Sequence, residues 1–201
     1  MTTLATVITG ASSGIGEALA HLFAPEQQTL VLVARRKERL DALAKELNSK
    51  YGIKVHVITQ DLQEIGAAAN LMNSISNLNL TVDTLVNNAG FGISAPFAKS
   101  DGAKTSAMMQ LNMVALTELT HMALPAMLER RHGRIMNIAS VVAFQPCPYF
   151  AVYAASKAYV LSFTEALAAE VVNRGILVTA GLMPFSSCEP SDGQFIGVIL
   201  G

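Results

Sequence analysis

The sequence predicts an α/β fold: a doubly wound parallel sheet (Rossmann fold) of six strands with helices on both faces. Three observations carry that expectation. Short β-branched runs alternate with longer stretches whose apolar residues recur at helical spacing. The short runs are almost continuously apolar, as strands covered on both faces must be. The first run passes straight into a glycine-rich turn and then a helix.

In chain order, the strands are expected at Leu4 to Thr9, Thr29 to Ala34, Lys54 to Thr59, Val82 to Val86, Arg134 to Ala139 and Ile176 to Ala180. Between them, Leu40, Leu43 and Leu47 mark one helix face. Leu111, Val114, Leu119, Met122 and Leu128 mark a second, and Val160, Phe163, Leu167 and Val171 a third. Right-handed crossovers between parallel strands make such a series doubly wound.

Strand one leads into Thr9-Gly10-Ala11-Ser12-Ser13-Gly14-Ile15-Gly16. Gly10 permits the tight turn, Gly14 lets backbone N–H groups approach a pyrophosphate, and Gly16 lets the helix pack close to the strand. Ser12 and Ser13 add hydroxyl donors, and the helix N-terminus favours an anion. An ordinary glycine-rich turn is the plain alternative. The end of strand two discriminates between cofactors. A carboxylate there would bind the ribose hydroxyls of NAD, but the chain reads Ala34-Arg35-Arg36-Lys37. Guanidinium forks suit a 2′-phosphate, so NADP(H) is the expected cofactor, with Arg35 and Arg36 as clamps. A solvated helix start is the alternative, and it is the reading given to Lys37 and Arg39.

Composition narrows the function. The 201 residues suit one domain, and 51% are hydrophobic against 14% charged, with a mean hydropathy of +0.40. Such a chain has ample surface to bury. With a formal net charge of −1, it carries no electrostatic footprint for nucleic acid or an anionic membrane. Cys147 and Cys188 make no disulfide framework, and His21, His56, His121 and His132 form no pair at metal-ligand spacing. The start reads as a strand rather than a signal peptide, and no apolar run reaches the roughly 18–20 residues that span a bilayer. A reducing, cytoplasmic setting is the expectation.

Further along, Asp61-Leu62 follows strand three, Asn87-Asn88-Ala89-Gly90 follows strand four, Asn112 sits on the next helix and Ser140 ends strand five. Tyr153-Ala-Ala-Ser-Lys157 opens the last helix. Together with the glycine loop, in order and each on the expected element, these residues resemble the short-chain dehydrogenase/reductase family over residues 4 to 180. The resemblance implies an oxidoreductase interconverting a carbonyl and an alcohol by hydride transfer. It implies Asn112, Ser140, Tyr153 and Lys157 as the catalytic set. Asp61 and Leu62 would contact the adenine, the Asn88, Ala89 and Gly90 backbone the cofactor, and Lys157 the nicotinamide ribose. Asn112 would hold a water in a proton relay, and paired helices would make a homodimer or homotetramer.

The residues themselves support part of this chemistry. Carbonyl reduction needs an acid beside the oxygen, and an unperturbed tyrosine, with a pKa of about 10, is a weak one. Tyr153 and Lys157, four apart, share a helix face, and a nearby ammonium favours the phenolate. The Ser140 hydroxyl can hydrogen-bond the substrate oxygen. Taken singly, each has a structural alternative: a chance helical pair, a strand-ending cap, a helix-interior amide bonded to backbone. Cys147, between Pro146 and Pro148, reads as structural or substrate-lining, because no histidine stands near it in sequence.

The pattern breaks after residue 180. Pro184 precedes phenylalanine where the family has Pro-Gly, and residues 191–201 lack a helical pattern. Residues 1–181 are therefore expected to form the dinucleotide-binding and catalytic domain, and 182–201 an atypical tail, truncated or frame-shifted. Phe195 to Leu200 could add back as a makeshift edge strand. Without the usual lid, weak or absent turnover is expected, and a nucleotide-binding module or inactive fragment is the alternative function.

Overall fold

The computed structural model describes residues 2–26, 29–183 and 198–200. Six parallel strands form the sheet: β1 (Thr3–Thr9), β2 (Thr29–Ala34), β3 (Lys54–Thr59), β4 (Leu80–Asn87), β5 (Gly133–Ser140) and β6 (Ile176–Met183). The order is β3-β2-β1-β4-β5-β6, closed by a short β7 (Val198–Leu200) that runs antiparallel to β6. Of the makeshift edge strand expected at Phe195 to Leu200, residues 198–200 pair with β6, and residues 195–197 lie outside the described residues. β6 continues through Met183, across the limit expected at 181. The rest of the expected tail lies outside the described residues.

Alternation along the strands splits the core. On one face Val7, Val31 and Val33 pack with helices α3 (Ala67–Asn77), α5 (Leu116–Arg130) and α6 (Ala151–Val171). On the other, Ile8, Leu30 and Leu32 pack with α1 (Gly14–Phe23) and α2 (Lys37–Tyr51). Leu40, Leu43 and Leu47 are buried as their spacing predicts. Val114 and Met122 are not: they are 40% and 38% exposed. The reason is a π-helical segment, Gln110–Ala115, between α4 (Gly102–Met109) and α5. Its wider turn shifts the phase of the helix at Val114, so Asn112, Ala115 and Leu116 face inward, with the expected Leu119 and with Ala123 in place of Met122.

A chain of buried amides and hydroxyls crosses beneath β4 and β5. Asn87 Nδ2 donates to Thr120 Oγ1 (3.0 Å) and Asn137 Oδ1 (2.9 Å), and Asn137 Nδ2 donates to Thr164 Oγ1 (3.0 Å). Thr164 in turn donates to Val160 O at 2.6 Å. These bonds fasten α5 and α6 to the strand ends that carry the candidate site. Asn137→Ala removes two of them and leaves a void, so unfolding in urea is expected to show a loss of about 2–4 kcal/mol. A loss under about 1 kcal/mol would mean that the chain is not a structural tie.

Candidate active site

β1 and β4 are neighbours in the sheet, yet β1 leads toward β2 on one side and β4 toward β5 on the other. The carboxyl ends of such a pair leave a crevice. The glycine turn sits there. Gly10 and Gly14 have φ of +69° and +58°, which side chains rarely tolerate. A Cβ at Gly14 would meet nothing within 4 Å, whereas one at Gly10 would lie 2.9 Å from Ala89 Cα. The turn is therefore tight against the fourth strand at one end and open at the other. Ser13 precedes α1 in an extended conformation, and its side chain makes no capping bond. The first-turn N–H groups of α1 are thus left for a ligand.

Thr9 and Asn88 hold the turn. Thr9 Oγ1 donates to Val86 O and accepts from the N–H groups of Asn88 and Ala89, both at 3.0 Å. Asn88 Nδ2 donates to Thr9 O (2.9 Å) and Gly10 O (3.3 Å). Of the two arginines expected as a phosphate clamp, Arg36 reaches the glycine turn and Arg35 turns to Asp61. Arg36 donates from Nη2 to Ser12 Oγ (3.0 Å) and Ser13 Oγ (2.5 Å), and from Nε to Ser12 Oγ (3.2 Å). Each serine oxygen accepts from a cation and keeps its own proton to donate. Arg35 lies 3.6 Å from Asp61 Oδ2, with both side chains reaching solvent. Leu62 beside them is buried. A cation flanked by hydroxyls, next to an open glycine cradle and free helix N–H groups, fits a dinucleotide that carries an extra phosphate.

Beyond the turn, Asn112, Tyr153 and Lys157 come together. Lys157 is 6% exposed, and its Nζ donates to Ile138 O at 2.7 Å. The Nζ lies 5.9 Å from the Tyr153 ring centroid. Burial pushes the lysine pKa down to about 8. A Cβ on Gly90 would stand 3.0 Å from Asn112 Oδ1 and 3.6 Å from Lys157 Nζ, so this glycine keeps the path between them open. The Asn112 side chain is committed to protein: Oδ1 accepts from Phe91 N (3.1 Å), and Nδ2 donates to Phe91 O (3.0 Å) and Ser156 Oγ (3.1 Å). Ser140 ends β5, buried, with its Oγ donating to Met183 O at 3.3 Å and 3.5 Å from Val142 N.

Three contributors have no role of their own assigned by the sequence. Thr9 is the hub of the turn. Ser156 ties Asn112 to α6 and donates to Tyr153 O at 2.7 Å. Gly92 faces the Tyr153 ring, where a Cβ would come within 3.2 Å. Only Gly92 offered a signal, as a second glycine two residues after Gly90.

Comparison with known proteins gives this geometry a lineage. A family model described as short chain dehydrogenase matches residues 5–185. The chain is 37% identical over 185 residues to a very-long-chain 3-oxoacyl-CoA reductase of Anas platyrhynchos, covering 89% of this chain and 58% of that one. It is 37% identical over 175 residues to sulfoacetaldehyde reductase 2 of Chromohalobacter salexigens, covering 86% and 69%. The solved short-chain dehydrogenase from Sphingobium yanoikuyae in complex with NADPH matches with a TM-score of 0.85 at 36% identity, over 92% of this chain and 72% of that one. The chain thus spans somewhat under three fifths of the first relative's length. By the extent of the family match and the order of its motifs, the chain belongs to the short-chain dehydrogenases.

Proposed function

We propose that the protein is an NADP(H)-dependent oxidoreductase that interconverts a carbonyl and an alcohol, with Tyr153 as general acid and base. The observation that carries this reading is the buried ammonium of Lys157 beside the Tyr153 ring. Reduced nicotinamide, when bound, supplies the hydride. The chain's own part is to hold the carbonyl and deliver the proton. Ser140 Oγ turns its proton from Met183 O to the substrate oxygen, and Tyr153 gives that oxygen its proton. Lys157 stabilises the phenolate left behind and binds the ribose hydroxyls. Asn112, with its side chain bonded to Phe91 and Ser156, supports the loop that brings Gly92 to the Tyr153 ring, and a water held at Asn112 relays the proton to Lys157.

Arg36, with Ser12 and Ser13, selects the phosphorylated cofactor, while Arg35, Asp61 and Leu62 flank the adenine. Gly10, Gly14, Ile15 and Gly16 line the pyrophosphate, with Ala89 and Gly90 on the far side. The exposed apolar stripe of Val114, Met122 and Tyr159 supports a homodimer or homotetramer through α5 and α6. Among the described residues no helix is long and apolar enough to cross a membrane.

The test titrates NADPH and NADH, following cofactor fluorescence, and then adds a panel of ketones and aldehydes. NADPH is expected to bind more tightly, and Arg36→Ala to weaken it about 10–100-fold with little effect on NADH. No fluorescence change with either nucleotide, or a preference for NADH that Arg36→Ala leaves untouched, would sink the reading.

A further inference from the structure

Phe91 stands between two glycines, and each of them is pressed against a side chain of the candidate site. A Cβ on Gly90 would stand 3.6 Å from Lys157 Nζ, and one on Gly92 would come within 3.2 Å of the Tyr153 ring. The main chain of Phe91 is gripped at both of its polar groups by Asn112, whose Oδ1 accepts from Phe91 N and whose Nδ2 donates to Phe91 O. Turning the amide over would set donor against donor at Phe91 N, so these two bonds decide which way it faces.

Asn112 is held in turn from α6. It sits on the wide turn Gln110–Ala115, a rare helical geometry that gathers at functional sites. The second proton of its Nδ2 goes to Ser156 Oγ at 3.1 Å. A serine inside a helix commonly bonds a carbonyl one turn back and does nothing more. Ser156 makes that bond, to Tyr153 O at 2.7 Å, and spends a lone pair on Asn112 as well. Both side chains are buried, so water does not replace either partner. The contacts close a ring: from the Tyr153 main chain to Ser156, to Asn112, to Phe91, to Gly92 and back to the Tyr153 phenol ring. The amide is thereby fastened to two elements, the loop after β4 and α6. Without the Ser156 hydroxyl it is fastened to the loop alone, and a buried N–H loses its acceptor.

We propose that Ser156 is a positioning residue for carbonyl reduction: its hydroxyl orients the Asn112 amide, and through it the proton relay and the loop that packs on the Tyr153 ring. This rests on the oxidoreductase reading above and deepens it, because in that reading a water held at Asn112 passes its proton to Lys157. Ser156 needs no contact with substrate or cofactor to do this. Its effect falls on the delivery of the proton to Tyr153. Nucleotide binding is left alone, because the glycine turn and Arg36 belong to other elements.

The test is Ser156→Ala, assayed with NADPH and whichever carbonyl of the panel the wild type reduces best. The kcat is expected to fall about 10–100-fold. NADPH affinity, read by cofactor fluorescence, is expected to stay within about twofold, the split that marks an interaction used only in the chemical step. The solvent deuterium isotope effect on kcat is expected to rise, because proton delivery becomes the slow step. A serine that only steadied the helix would leave that isotope effect where it was. Should Ser156→Ala not fold, Ser156→Cys takes the same measurements, since a thiol is close in size and a weak hydrogen-bonding partner. A kcat within about twofold of wild type overturns the inference and leaves the oxidoreductase reading standing. So does a loss of kcat with an unchanged isotope effect, or one matched by an equal loss of NADPH affinity. Failure of both variants to fold makes Ser156 a tie of the core and overturns the inference as well. A wild-type protein that binds NADPH and reduces no carbonyl overturns the reading itself, and the inference with it.

Discussion

Replacing Lys157 with methionine is expected to make the protein more stable and less active. The ammonium is buried, and burial lowers its pKa from 10.5 to about 8. Below pH 8 the folded protein holds a charge that water would solvate better, a penalty of roughly 3 kcal/mol. Methionine fills similar volume without it, while forfeiting the bond to Ile138 O, which offsets about 1 kcal/mol. The net gain at neutral pH is about 1–2 kcal/mol. The sign follows from linkage. Between about pH 8 and 10.5 the unfolded chain retains the proton that the folded chain has released, so wild-type stability rises across that window and is flat below it. The variant lacks this slope, and urea midpoints for the two proteins should converge as pH climbs. Turnover should fall by about 10²–10⁴ in Lys157→Met and in Tyr153→Phe alike, but only the lysine variant should gain stability. A Lys157→Met protein that melts below wild type at pH 7 would refute the burial penalty. Carbonyl reduction that persists in Tyr153→Phe would remove Tyr153 from the acid–base role.

Gly16→Ala is expected to be the more damaging of two changes in the glycine turn, although Gly16 has ordinary backbone angles. Its Cβ would run into Gly10 O, a backbone atom with nowhere to go, and would stand 2.5 Å from Asn88 Nδ2. α1 must then tilt away from β1, and the bonds from Asn88 to Thr9 O and Gly10 O stretch or break. A cost of about 2–4 kcal/mol is expected, with NADPH affinity down about 100-fold or more. Gly14→Ala makes the contrast. Its Cβ enters empty space, so the fold loses only about 1–2 kcal/mol for the left-handed angle. Binding should suffer all the same, because the added methyl occupies the cradle. Urea unfolding and NADPH titration on both variants separate the two effects. Equal destabilisation by the two alanines would show that close helix–strand packing does not set the glycine at position 16.

Much of this architecture is legible in the residues because its determinants are local. Strand periodicity, the glycine spacing and the Arg35-Arg36 pair each lie within a few residues of one another. Tyr153 and Lys157 are readable for the same reason, being one helical turn apart. Other features depend on long-range geometry. The partnership of Asn112 with Ser156 joins residues 44 apart, and that of Thr9 with Asn88 and Ala89 joins residues 79 and 80 apart. No spacing rule finds these. Val114 and Met122 mislead for a different reason. A regular 3.6-residue repeat is assumed when apolar positions are counted, and the wide turn at Gln110–Ala115 breaks it at Val114, whereas Met122 sits beside the buried Leu119 and Ala123 in regular α5 and faces out. That same turn brings Asn112 inward to Phe91, so the irregularity that spoils the pattern also builds the site.

The fastening of Thr9 to Asn88 and Ala89 bears on how a ligand enters. The two wings of the sheet, β1 to β3 and β4 to β6, meet along a seam that is stitched at its mouth by side chains from both. A jaw hinged at this seam would have to tear those stitches each time it gaped. The floor of the groove at this seam is therefore already set before anything arrives.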